Sequence, residues 1–204
     1  MLLDWNTRMD LTNVPEDEMA ARHYADSLLP LLNDAWFPSG AKVIDVGTGA
    51  GFPGLPLAVA RPDMQVVLLD ALKKRCAFLE TVAGQLGLEN VQVVHARAED
   101  AARGNLRGSF NLACARAVAP PNVLLEYLLP LVKMHGCALL WKGPSLKDEM
   151  ADAQQALQIL GGVPEPALAL PLPGYEHYVQ PVRKRAATPA KYPRKAGTPA
   201  KLPL

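Results

Sequence analysis

Five short apolar runs punctuate the middle of the chain, at Lys42–Val46, Gln65–Asp70, Val91–His95, Phe110–Ala115 and Gly136–Trp141. None is a clean alternation of apolar and polar residues, so each has the pattern of a strand buried on both faces. Between them the apolar positions recur at helical spacing. The clearest stripe is Leu72, Cys76, Leu79, Val82, Ala83 and Leu86, at intervals of three and four. Upstream, Pro15 followed by Glu16, Asp17 and Glu18 predicts a helix start, with proline in the first turn and acids facing the positive end of the helix dipole. Met19, His23, Tyr24, Leu28 and Leu31 continue that helix. Strand and helix repeated five times predict an α/β fold, a doubly wound and mostly parallel sheet of Rossmann-like type. Tyr175–Val182 alternates and is rich in aromatic residues, which predicts a further edge strand, antiparallel to the rest. Gly161–Pro173 carries too many prolines to be assigned.

Composition narrows this to one domain, since 204 residues of which 50% are hydrophobic can bury one sizeable core. The three cysteines, Cys76, Cys114 and Cys137, are far apart and lack any Cys-x-x-Cys spacing, which argues against disulfides and zinc and fits a reducing compartment. No apolar run approaches the ~18 residues of a membrane span, and charged residues occur from Asp4 onward, so a cytoplasmic protein without a membrane partner is expected. The net charge of +1 hides a segregation: from Arg183 onward there are seven basic residues and no acid, while residues 1–182 hold 14 basic groups and all 20 acids. The reading is therefore a domain at 1–182, with a helical cap over about 1–37, and a basic tail at 183–204. Such a tail is either a solvated terminus, structural cover on the body, or an arm for a polyanion. As an RNA arm, it should be removable without much effect on a small ligand bound by the body.

The stretch Val43-Ile-Asp-Val-Gly47-Thr-Gly49-Ala-Gly51-Phe-Pro-Gly54 ends the first strand in a glycine loop, where the backbone can take left-handed angles and lie against a ligand. Gly49 to Gly54 satisfy G-x-G-x-x-G, a weak dinucleotide signal on its own. Three features favour S-adenosylmethionine over NAD. Asp45 stands two residues before the glycines, placed to order the loop and meet an ammonium group. Pro53 and Pro56 delay the next helix, where a pyrophosphate would prefer free N–H groups. Glu99 follows the third strand, where an acid suits an adenine. Asp70, closing the second strand, suits the ribose hydroxyls of either cofactor. Both Asp70 and Glu99 could also be ordinary helix-capping acids. No phosphate-binding G-x-x-x-x-G-K-[ST] loop is present.

The segment after the fourth strand, Cys114-Ala-Arg116-Ala-Val-Ala-Pro120, lacks the Asn/Asp-Pro-Pro-aromatic motif of amino-group methylation and the Pro-Cys pair of cytosine C5 methylation. Cys114 reads as core. With no general base in evidence, the natural acceptor already carries a lone pair, as guanine N7 does, and catalysis is mostly alignment.

These residues resemble a known family. The run Asp45 to Gly54 with the following Leu55-Pro-Leu57, then Lys74-Arg75 with Phe78-Leu79, Ala98-Glu99, Ala115-Arg116-Ala117, Lys142-Gly143 and the ending Tyr192-Pro-Arg194-Lys-x-Gly197-Thr-Pro199-x-Lys201 are similar to the RsmG (GidB) family of 16S ribosomal RNA guanine-N7 methyltransferases. Trp5-Asn6, Leu11-Thr12 and His23-x-x-Asp26-Ser27-Leu28 match as well. The resemblance implies the class I methyltransferase fold, with S-adenosylmethionine as cofactor and 16S ribosomal RNA or a small-subunit assembly intermediate as partner. It implies that Gly47, Phe52, Ala98, Glu99 and Arg116 contact the methyl donor, to which the residue-level reading adds Asp45, Gly49 and Asp70. Arg194, Tyr192 and His23 become candidates for positioning the substrate. Lys142, Arg183, Lys184, Arg185, Lys191, Arg194, Lys195 and Lys201 become candidates for RNA contact. The family usually shows Asn-Leu-Thr where this chain has Asp10-Leu11-Thr12, and further helical residues before Trp5-Asn6. A methyltransferase for another RNA or a small molecule, and a non-catalytic RNA-binding module on the same fold, are the competing classes.

Overall fold

A computed structural model describes residues 1–204. One sheet of eight strands organises it: β1 (Lys42–Val46), β2 (Gln65–Asp70), β3 (Val91–His95), β4 (Phe110–Arg116), β5 (Val132–Lys142), β6 (Gly162–Pro164), β7 (Leu168–Leu172) and β8 (Tyr175–Lys184). The order is β3-β2-β1-β4-β5-β8-β6, with β7 also paired to β8. The first five strands are parallel, and β8 runs antiparallel to β5.

The five apolar runs lack clean alternation because both faces of the sheet are covered. Val43, Leu112, Cys114, Cys137, Leu139 and Trp141 enter one core, with Phe37 and the helices α3 (Gly54–Ala60) and α4 (Lys73–Gln85). Their strand neighbours Ile44, Val46, Ala113, Ala115, Ala138 and Leu140 enter the other, under α5 (Ala98–Arg103), α6 (Pro121–Leu128), α7 (Leu146–Asp152) and α8 (Gln154–Leu160). The α4 stripe is buried at Cys76 and Leu79, while Leu72 and Leu86 at its ends are exposed.

Ahead of the sheet lie a short helix, α1 (Leu2–Asn6), and a helical run over 16–32 whose regular piece is α2 (Asp26–Leu28). That run widens over Ala20–Ala25, where the Asp26 N–H reaches back to the Ala21 carbonyl. Wide turns of this kind often mark functional positions.

Two expectations need correction. The strand expected at Tyr175–Val182 forms and is antiparallel, but β8 is not at the edge, because β7 pairs with its first half and β6 with its last three residues. Both edge pieces come from the proline-rich stretch, and Pro164 and Pro171 are tolerated there since an edge strand can spare N–H donors. The basic tail is likewise no free arm. Its first two residues belong to β8, and it ends in α9 (Thr198–Lys201) packed near α6. No helix is long and apolar enough to cross a membrane.

Candidate active site

The glycine loop is held from below by Asp45. Its carboxylate is fully buried, and Oδ2 accepts from the Thr48 hydroxyl at 2.6 Å and the Gly54 N–H at 2.9 Å. Burial pushes this carboxyl up to about 6, against the opposing pull of those two donors. A Cβ at Gly54 would sit 2.9 Å from Asp45 Oδ2, so only glycine lets the helix start this close. Gly47 and Gly49 have φ of +67° and +58°, the left-handed angles that glycine adopts most readily. Asp70 Oδ2 accepts from the Gly49 N–H at 3.0 Å, which ties the end of β2 to the loop.

Two cavities meet at Gly47. The first, of about 220 Å³, is walled by Gly47, Asp70, Ala98, Glu99 and Tyr127, with Gly197 and Ala200 from the tail. A Cβ at Gly47 would come within 2.8 Å of Val118, so the loop backbone itself forms the wall. The second, of about 340 Å³, is lined by Gly49, Phe52, Arg116, His23, His177 and Tyr175, with Arg22 and Arg75 also facing it. No carboxylate lines the second cavity, but each of its three arginines has an acid behind it, Arg116 with Asp26 at 2.8 Å, Arg22 with Glu18 at 2.6 Å and Arg75 with Asp70 at 3.7 Å, so the cavity presents guanidinium donors rather than unpaired charge. Apolar walls beside a ribose-type carboxylate in the first, and guanidinium donors past the glycines in the second, fit a nucleoside carrying an amino-acid arm.

Behind the second cavity lies a network that the sequence did not disclose. Asp26, fully buried at the start of α2 just after the wide turn, accepts from Arg116 at 2.8 Å and from His177 Nδ1. Trp141 Nε1 donates to the Asp26 carbonyl at 3.1 Å. The other guanidinium nitrogen of Arg116 meets His23 Nδ1 at 3.0 Å. Arginine cannot accept, so Nδ1 is bare and Nε2 carries the proton that reaches Thr12 Oγ1 at 2.7 Å. His23 is stacked on Phe52 at 4.4 Å, and Arg116 lies 5.3 Å from the same ring. Burial and then the Arg116 charge push the His23 imidazole down to about 4, so it is neutral at physiological pH.

A family model described as rRNA small subunit methyltransferase G (GidB) matches residues 1–170. The chain belongs to that family. The protein of that name from Alkaliphilus metalliredigens is 44% identical over 208 residues, covering 100% of this chain and 87% of its own length. The one from Lactobacillus delbrueckii subsp. bulgaricus is 46% identical over 206 residues, covering 98% and 85%. Among solved structures, a SAM dependent methyltransferase from Aquifex aeolicus superposes with a TM-score of 0.63 at 17% identity, covering 89% of this chain and 97% of the other. A Burkholderia thailandensis N1-methyltransferase solved with S-adenosylhomocysteine gives 0.63 at 15% identity, covering 91% and 88%. The fold is therefore that of the class I methyltransferases, and S-adenosylmethionine is the methyl donor of this family member.

The cofactor candidates of this methyltransferase divide by cavity. Gly47, Asp70, Ala98 and Glu99 wall the first, Gly47, Gly49, Phe52 and Arg116 the second, and Asp45 lines neither. Cys114 is fully buried, and burial pushes its thiol well above the usual range, as a core residue requires.

The basic candidates need revision, because four of the charges already have protein partners. Lys142 donates to the Ala119 carbonyl at 2.8 Å and pairs with Glu149 at 2.7 Å. Arg183 grips Glu165 through two nitrogens, at 2.9 and 3.0 Å. Lys184 is buried and donates to the Leu129 and Val132 carbonyls. Arg194 clasps the fully buried Glu126 through its guanidinium and its backbone N–H. Tyr192 is buried in the core beneath, so neither it nor Arg194 stands beside the second cavity as a stacking platform. Arg185, Lys191, Lys195 and Lys201 remain exposed or half-exposed. His23 does line the second cavity.

Proposed function

We propose that this chain transfers the methyl group of S-adenosylmethionine to N7 of a guanine in small-subunit ribosomal RNA. The observation that carries this reading is the second cavity, lined by the guanidinium groups of Arg22, Arg75 and Arg116 with no carboxylate in its walls and sharing Gly47 with the first. The relatives named above are ribosomal RNA small subunit methyltransferases, and guanidinium donors facing a cavity suit a nucleotide with its phosphates. Bound in the first cavity, the donor supplies an electrophilic methyl group on a sulfonium.

What the chain contributes is placement. Asp70 and Glu99 offer acceptors to ribose and adenine, while the loop from Gly47 to Gly51 offers bare backbone. Arg116 is fixed by Asp26 and His23, which leaves its position independent of the substrate. Guanine N7 has its own in-plane lone pair, so alignment rather than proton removal is required. Asp26 also orients His177, an arrangement that elsewhere makes a base. Here a His177 Nε2 acceptor serves instead to receive a hydrogen bond from a guanine N–H. The exposed cations of the tail add attraction for the phosphates.

The test is methyl transfer to unmodified small-subunit RNA, free and within subunit particles, with the product digested and its methylated nucleoside identified. N7-methylguanosine at one site supports the reading. Label at an amino group, at cytosine C5 or only in a small molecule overturns it.

A further inference from the structure

We propose that the C-terminal segment 192–201 is a wall of the methyl-donor pocket, positioning Glu99 for adenosine, rather than an arm that acts on RNA alone. This rests on the placement of adenosine in the first cavity. Gly197 and Ala200 face that cavity, opposite Gly47 and Asp70. The Gly197 N–H donates to Glu99 Oε1 at 2.8 Å, and no other protein group bonds the Glu99 carboxylate. One oxygen is thereby tied to the segment, and Oε2 is left to accept from a ligand. A side chain held this way loses little rotamer freedom when the ligand arrives.

The segment is built to stay in place. Arg107 donates to the Tyr192 carbonyl at 2.7 Å and to the Thr188 carbonyl at 3.0 Å, and Arg103 donates to the Pro193 carbonyl at 3.0 Å. Arg194 is clamped on buried Glu126, three residues before Gly197. Gly197 then turns with φ +80° and ψ −10°, aiming its N–H back at Glu99. A Cβ there would meet nothing within 4 Å, so glycine serves the backbone angle and not the space. None of these bonds needs RNA to be present.

The experiment is calorimetric titration with S-adenosylhomocysteine, which reads donor-site affinity without catalysis. Deleting 196–204 removes Gly197 and Ala200 and also buried Pro199 and Leu204, which rests on the core, but keeps Tyr192 and the Arg194–Glu126 clamp; circular dichroism and the melting profile check that the body stays folded. Without the tie, binding must order the Glu99 side chain itself, which costs roughly two- to tenfold in affinity. We expect the deletion to weaken binding by that factor, and to weaken it less when Glu99→Ala is already present, because the two act through one carboxylate. If Glu99→Ala weakens binding while the deletion changes it less than about twofold, the wall is disproved and the adenosine site stands. If Glu99→Ala has no effect, the adenosine placement itself fails. Hydrogen exchange on the intact protein is the second measurement, independent of folding in any variant. Saturating S-adenosylhomocysteine should slow exchange at amides 196–201, and unchanged exchange there overturns the proposal.

Discussion

Replacing His23 by glutamine should change the pH dependence of stability in a direction fixed by the site. The imidazole is buried, and Arg116 presses on it, so its pKa falls from 6.5 to about 4 on folding. The unfolded chain then takes up the proton first. As pH falls from 6.5 towards 4, the native protein loses stability, by about 2 kcal/mol at pH 5, using 1.36 kcal/mol per pKa unit. Glutamine does not titrate. At neutral pH the variant should be less stable by about 1–2 kcal/mol, through loss of the Phe52 stack and the Arg116 contact. Between roughly pH 7.5 and 5 the difference should move by about 2 kcal/mol in the variant's favour, which cancels or reverses that deficit. Asp45 works in the opposite sense: its folded pKa is raised to about 6, so it adds stability as pH falls through that value towards 3.8. The two contributions oppose each other in the wild-type profile, so the difference between variant and parent is the quantity to measure. Urea denaturation at a series of pH values supplies it. A gap constant to within about 0.5 kcal/mol across the range would refute a neutral, desolvated His23.

Arg116→Lys keeps the charge but cannot span Asp26 and His23 together, so single-turnover transfer at saturating RNA and donor should fall by roughly tenfold or more. Arg194→Ala strands the buried Glu126 carboxylate; with the Arg194 side chain 25% exposed we expect about 3 kcal/mol, the low end for such pairs. Calorimetry should register that as a fall of about 6–12 °C in Tm. Neutralising Arg185, Lys191, Lys195 and Lys201 should lower the salt slope of RNA binding by up to about 0.7 for each phosphate left without its cation, while the charges paired inside the body add nothing to that slope. The transfer rate should be nearly flat from about pH 6.5 to 8.5; a steep limb that disappears in His177→Gln would make His177 a base and N7 the wrong acceptor.

The glycine loop was legible because everything that shapes it is local. Asp45, Thr48 and Gly54 lie within nine residues of one another and bond directly. The five parallel strands were legible for a different reason, since burial on both faces leaves a short apolar run that little else produces. For β8 the alternation disclosed a strand but could not disclose its neighbours, and the prolines that obscured β6 and β7 are the mark of edge positions. Reading the tail by charge counted cations without their partners: Glu165 is 18 residues from Arg183, and Glu126 is 68 from Arg194. Asp26 was visible as an acid three residues after His23 on an apolar helix. Its role was not, because Arg116 and His177 arrive from 90 and 151 residues away.

The interior position of β8 bears on how the chain is made. During synthesis β5 emerges long before Tyr175, and its Cys137–Lys142 edge has no neighbour until β8 arrives. Leu139, Leu140 and Trp141, fully covered in the finished protein, then sit on an open strand rim that other chains can join. A nascent chain interrupted between Lys142 and Tyr175 is thus a seed for aggregation, and its loss would be seen in the amount of protein before it was seen in the methylation of RNA.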